Sequence, residues 1–108
     1  MTIEADVRNI AKDFGIDAAL IQAVANAEGN IVKAVQCSVP SVQTREQAIR
    51  VLCRSAVHAL SDFVIEHGAG GDFVAFFGAR WAPVGATNDP HGLNAHWVTN
   101  ARQLWGVA

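Results

Sequence analysis

The stretch Thr44-Arg45-Glu46-Gln47-Ala48-Ile49-Arg50-Val51-Leu52-Cys53-Arg54-Ser55-Ala56-Val57-His58-Ala59-Leu60-Ser61-Asp62-Phe63-Val64-Ile65-Glu66-His67-Gly68 decides the fold. It opens with a capping box, Thr44 at the N-cap position and Gln47 three residues on, which satisfies two of the orphan amides at a helix start. Ile49, Leu52, Cys53, Ala56, Leu60, Phe63 and Val64 then recur as one apolar stripe, while Arg45, Arg50, Arg54, Asp62 and Glu66 mostly occupy the remaining surface. His67-Gly68 closes the segment. A helix of this length spans a small domain from end to end, so it is expected to form the centre of a helical core.

Working outward, the flanking segments carry helix punctuation of the same kind. Thr2 is a cap, followed by Ile3, Val7, Ile10 and Phe14 at helical spacing and a stop at Gly15. Asp17 caps an alanine-rich apolar run from Ala18 to Glu28, which ends at Gly29. C-terminal to the central segment, Gly68-Ala69-Gly70-Gly71 makes a corner. Asp72 caps a fourth helix bearing Phe73, Val74, Phe76, Phe77 and Trp81, which stops before Pro83. Residues 82–93 are loop chemistry. Asn94 caps a last helix with Trp97, Ala101, Leu104 and Trp105 on its inner face and Gly106 at its end. Residues 30–43 differ: Ile31-Val32-Lys33-Ala34-Val35-Gln36 is short and rich in β-branched residues, and Ser38-Val39-Pro40-Ser41 reads as a turn, so a small hairpin or an irregular loop is expected there. The expectation is a mainly α fold, about five helices around a long central one, in a single domain over residues 1–108.

Composition supports a packed domain and narrows function. In 108 residues, 51% are apolar and 17% charged, enough to build a core and too apolar for disorder. A net charge of −2 with no Lys/Arg run argues against nucleic acid and against anionic lipid as partners. No apolar stretch approaches the roughly 20 residues of a membrane span. Met1-Thr2-Ile3-Glu4-Ala5-Asp6 has neither the basic nor the apolar region of a secretory signal. Synthesis in the cytoplasm is therefore expected, with any outside target reached in a virion or by signal-independent export. Cys37 and Cys53 are expected as thiols in a reducing compartment, a disulfide being the alternative if the protein leaves it. His58, His67, His91 and His96 form no recognised ligand spacing, so neither a metal nor another cofactor is implied. No nucleophile elbow or phosphate loop is present, and Cys53 and His58 point to different faces of their helix.

Two features exceed ordinary helical packing. Ala27-Glu28-Gly29-Asn30 places a carboxylate in the last turn of an apolar helix. An apolar wall and the negative end of a helix dipole both favour the protonated form of a carboxyl group, as a general acid requires. The plainer reading is a solvated Glu in a frayed turn. The stretch from Arg80 to Asn94 combines Trp81, Asn88, Asp89, His91 and Asn94. Aromatic faces with short amides suit sugar binding, and the plainer reading is a structural loop with Asx turns.

The order of these motifs resembles the small lysozyme-like domains of phage and prophage virion or lysis proteins. The resemblance rests on Ala27-Glu28-Gly29-Asn30-Ile31, on the long segment from Thr44 to Ala59, on Arg80-Trp81-Ala82-Pro83 and on Asn88-Asp89-Pro90, and covers roughly residues 15–105. It implies a lysozyme-like fold, a bacterial peptidoglycan glycan strand as partner, and Glu28 as catalytic acid. Trp81, Asn88, Asp89 and Asn94 would then bind substrate. No Asp or Glu lies between Gly29 and Arg45, so the usual second carboxylate, about 5 to 9.5 Å from the first, is not supplied by that region. Single-acid chemistry of the lytic transglycosylase kind is therefore expected rather than a two-carboxylate muramidase. In this chain Glu28 abuts Gly29-Asn30 directly, without the asparagine-rich stretch common in the family, and Ile31, Val32 and Val35 replace polar cleft residues. The alternative reading is accordingly a non-catalytic, phage-derived or surface-associated module that binds another protein. It predicts a solvated or ion-paired Glu28 and aromatics absorbed into the core.

Overall fold

A computed structural model of the chain describes residues 2–67 and 72–81 together with Trp97 and Ala101. Among these residues the fold is all helix: α1 (Ile3–Phe14), α2 (Ala18–Glu28), α3 (Ile31–Gln36), α4 (Arg45–His67) and α5 (Phe73–Trp81). The mainly α expectation holds, and α4 is the centre, packing against each of the other four helices.

The local signals act as their chemistry dictates. Thr2 Oγ1 accepts from the Ala5 amide at 3.2 Å, and Asp17 Oδ1 accepts from the Ala19 amide at 2.9 Å. α1 ends on Gly15 at φ 66°, where the left-handed turn returns its amide to the carbonyls of Ala11 and Lys12. The capping box of α4 is complete in both directions. The Gln47 amide donates to Thr44 Oγ1 at 3.1 Å, while Gln47 Oε1 accepts from the amides of Thr44 and Gln43 at 3.2 and 2.8 Å. The apolar faces meet in one cluster that includes Val7 and Ile10 of α1, Ile21 and Val24 of α2, Ile49, Leu52 and Ala56 of α4, and Phe77 of α5.

The segment 30–43 is neither a hairpin nor wholly irregular: Ile31–Gln36 is a short helix. Asn30 caps it, its side chain accepting from the Lys33 amide at 3.1 Å. Ile31 and Val35, four residues apart, are both buried, and α3 packs on α2 and α4. Burial of that pair and a competent cap outweigh the β preference of the branched residues, because propensity differs by only a fraction of a kcal/mol per residue. The following turn is closed by Gln36 Nε2 donating to the Val42 carbonyl at 2.8 Å, with Val42 buried.

The stripe on α4 is also shifted from its expected course. Ala48, Ile49, Leu52, Cys53, Ala56, Ala59 and Phe63 are buried, whereas Leu60 is 42% and Val64 54% exposed. At about 100° per residue, each four-residue step rotates by about 40°. On that wheel Leu60 stands about 40° from Ala56, nearer than the buried Cys53 at about 60°, so its exposure follows from its place toward the C-terminal end of α4, where Ala59 and Phe63 are the buried residues. The helix expected to start at Asn94 lies outside the described residues except for Trp97 and Ala101, both of which are helical and buried.

Candidate functional site

Glu28 is the last residue of α2 and Trp81 the last of α5. Asp17 fixes where α2 begins, and Gly29 fixes the direction in which the chain leaves Glu28. Its φ of 77° is costly for residues with a Cβ, while the space around it is open, so the requirement is conformational rather than steric. That reversal returns the Gly29 amide to the carbonyls of Ala25 and Asn26, and the Asn30 amide donates to the Glu28 carbonyl at 2.9 Å. The Glu28 side chain is thus held at a rigid helix-to-helix junction, half-buried.

Its carboxylate is held by two side-chain donors, and no ion pair to it is found among the described residues. The indole Nε1 of Trp81 donates to Glu28 Oε1 at 2.8 Å, and the indole Nε1 of Trp97 donates to the same oxygen at 2.8 Å. An indole N–H only donates, and one carboxylate oxygen has two lone pairs, so the arrangement uses that oxygen fully. The Trp pair is placed by Phe77, fully buried, whose ring lies 5.9 Å from Trp81 and 5.9 Å, edge-on at 88°, from Trp97.

Beside this lock lies a cleft of ≈ 380 Å³. Its polar lining is Glu28, Arg80, Trp81, Ser38, Ser55 and Cys37. Ala34, Val35, Val39 and Val51 supply the apolar wall. α3 and the turn after it contribute much of that wall, so the helix in place of the expected hairpin or irregular loop shapes the cleft. Glu28 is the only carboxylate among the described lining residues. Arg80 lies on the cleft's rim of α5, paired with Asp62 and with its guanidinium 4.6 Å from the centre of the Phe76 ring.

Two of the site residues expected from the sequence, Glu28 and Trp81, are therefore brought into direct contact across 53 positions. Asn88, Asp89 and Asn94 lie outside the described residues. The spacing of Trp97 assigns it to the core. It is in the core, and it also holds the carboxylate; the sequence signal for this is that a buried indole needs an acceptor for its N–H. Arg80 stands in the Arg80-Trp81-Ala82-Pro83 motif with no role attached to it, and Ser38, Ser55 and Cys37 carry no pattern that marks them before the fold is known. Both cysteines are free, Cys37 exposed and Cys53 buried. Burial pushes the Cys53 thiol up to about 11, against the opposing pull of Arg50. Among the described residues no three His, Cys, Asp or Glu side chains gather as a metal set. No described helix is long and apolar enough to cross a membrane.

Comparison with family models, with curated proteins and with solved structures finds no match to this chain.

Proposed function

We propose that the chain is a peptidoglycan-directed module in which Glu28 acts on a glycan strand by single-acid chemistry of the lytic transglycosylase kind. The observation that carries this reading is the Glu28 carboxylate, fixed by two indoles on the wall of a cleft. The ≈ 380 Å³ cleft beside it leaves room for a ligand against that group. Function requires a side chain whose orientation is set before substrate arrives, which lowers the entropy cost of reaching the reactive geometry.

The lock also determines which oxygen does chemistry. Oε1 already accepts twice, so the transferable proton belongs on Oε2. In the proposed reaction that proton passes to the glycosidic oxygen as the C1–O bond breaks. The carboxylate then takes a proton from the C6 hydroxyl of the muramic acid residue, whose oxygen closes the anhydro ring on C1. One group serves as acid and then base. This route needs no external water and no second acid.

Digestion of purified peptidoglycan by the wild type and by Glu28→Gln tests it. Anhydro-muropeptides from the wild type alone are expected. Products from a folded Glu28→Gln protein would remove Glu28 from the mechanism.

One observation favours the second reading, a protein-binding module. Leu60, Val64 and Ile65, at 42, 54 and 79% exposure, leave an apolar surface on the C-terminal half of α4. If neither protein yields products, that surface becomes the place to seek a partner.

A further inference from the structure

Arg80 is the one cation in the described lining of the cleft, and it is positioned rather than trailing in solvent. It immediately precedes Trp81 in the last turn of α5, so the backbone that delivers one indole to Glu28 also delivers the guanidinium to the same cleft. Asp62 holds its Nη1, and the Phe76 ring lies 4.6 Å from its central carbon. Cation–ring contact and the ion pair fix the plane of the group. Asp62 itself is not part of the described lining, so the pair anchors Arg80 from behind. Its side chain is 44% exposed, and an exposed ion pair of this kind is weak. A guanidinium carries five N–H donors in a rigid fork matched to carboxylate geometry, so a single anchoring contact does not exhaust it.

We propose that Arg80 makes this cleft select glycan strands whose sugars carry a carboxylate over neutral strands of the same length. The inference rests on the glycan reading above and names what distinguishes its substrate. An alternating strand of N-acetylglucosamine and N-acetylmuramic acid presents a lactyl carboxylate on every second sugar, and a chitin oligomer presents none. The fork of Arg80 receives that carboxylate while Glu28 faces the glycosidic oxygen. The hydroxyls of Ser38 and Ser55 offer hydrogen bonds to either type of strand and therefore do not discriminate.

The test is a calorimetric titration of the wild type, Arg80→Gln and Asp62→Asn with two ligands. One is the tetrasaccharide of alternating N-acetylglucosamine and N-acetylmuramic acid with free lactyl carboxylates; the other is chitotetraose. The wild type is expected to bind the acidic tetrasaccharide about 10-fold more tightly, the scale of one charge-assisted hydrogen-bonded pair. Arg80→Gln should lose that preference, binding the two tetrasaccharides alike. Asp62→Asn keeps a side-chain oxygen that can accept from Nη1 and removes the competing charge, so the preference should persist. Equal wild-type affinity for the two ligands overturns the inference and leaves the glycan reading standing. So does a preference that survives Arg80→Gln or collapses in Asp62→Asn. Failure of the folded wild type to bind either ligand overturns both.

Discussion

Trp97 and Glu28, 69 positions apart in the chain, are joined by a 2.8 Å hydrogen bond from the indole Nε1 to the carboxylate Oε1. The same oxygen accepts from Trp81, so one atom ties the end of α2 to the end of α5 and to the C-terminal region. Trp97 is 6% exposed, so its N–H has little access to water as an alternative partner. Replacing Trp97 by Phe keeps most of the apolar body and removes the donor. Oε1 keeps the Trp81 donor, so no group is orphaned, and a net hydrogen bond contributes roughly 0.5–1.5 kcal/mol; a loss of about 1 kcal/mol is expected by urea denaturation. A loss under about 0.5 kcal/mol would mean that the bond contributes little to the fold.

Glu28 separates chemistry from structure by the choice of replacement. Glu28→Gln retains a carbonyl oxygen that can accept from both indoles, so it should melt within about 1 kcal/mol of the wild type and lack glycan cleavage. Glu28→Leu orphans both N–H groups. The Trp81 indole is half-buried and can turn to water, whereas that of Trp97 is in the core, so Glu28→Leu should cost on the order of 2–3 kcal/mol. Equal stability of the two variants would show that the indoles find other acceptors.

What is legible in the sequence is local. Thr2, Asp17, Gly15, Gly29 and the Thr44–Gln47 box act on their own neighbours, and residue type and spacing identify each of them correctly. α3 reads as a hairpin or loop because its helicity comes from outside the segment. Ile31 and Val35 are buried against α2 and α4, and short-range propensity carries no trace of that contact. Apolar spacing puts Leu60 and Val64 on the inner stripe because it reports a direction around the helix and not how far along the helix that direction is covered.

The site divides the same way. Glu28 stands out by its place at a helix end and by a motif resemblance, and Trp81 by the loop motif beside it. Their direct contact, and the second indole from Trp97, depend on how α2, α5 and the C-terminal region converge, which no local pattern encodes. Arg80 is a member of a recognisable tetrapeptide, yet its role as the cleft's cation becomes visible only when Asp62 and Phe76 are seen to hold it.

The start of the central helix should be measurably dependent on one side chain. Gln47 Oε1 accepts from two backbone amides, those of Gln43 and Thr44, so Gln47→Ala leaves both to solvent. An expected loss of about 1 kcal/mol corresponds to a fall of roughly 4 °C or more in Tm for a domain of this size. Gln47→Glu preserves the acceptor and should restore most of the loss, since an acidic group in the first turn also suits the helix dipole. Identical melting of all three proteins would show that α4 does not rely on its box.

Cys53 gives the chain a pH dependence of known sign. The thiol is fully buried on α4, and burial raises it from 9.0 to about 11, with Arg50 pulling the other way. Below about pH 9 both the folded and unfolded thiols are protonated, and the stability contribution is fully present. As pH rises through that value the unfolded chain releases its proton while the folded chain holds on. Stability should therefore fall between about pH 9 and pH 11, by on the order of 2–3 kcal/mol. Lysine and the other titrating groups act in the same range, so the measurement is the difference between wild type and Cys53→Ala, which shares all of them, Cys37 included. Ala fills less space and should be less stable at pH 8, but the gap should narrow as the pH rises. A gap that stays constant from about pH 8 to pH 11 would show that the Cys53 thiol is no harder to ionise in the folded protein than in the unfolded chain.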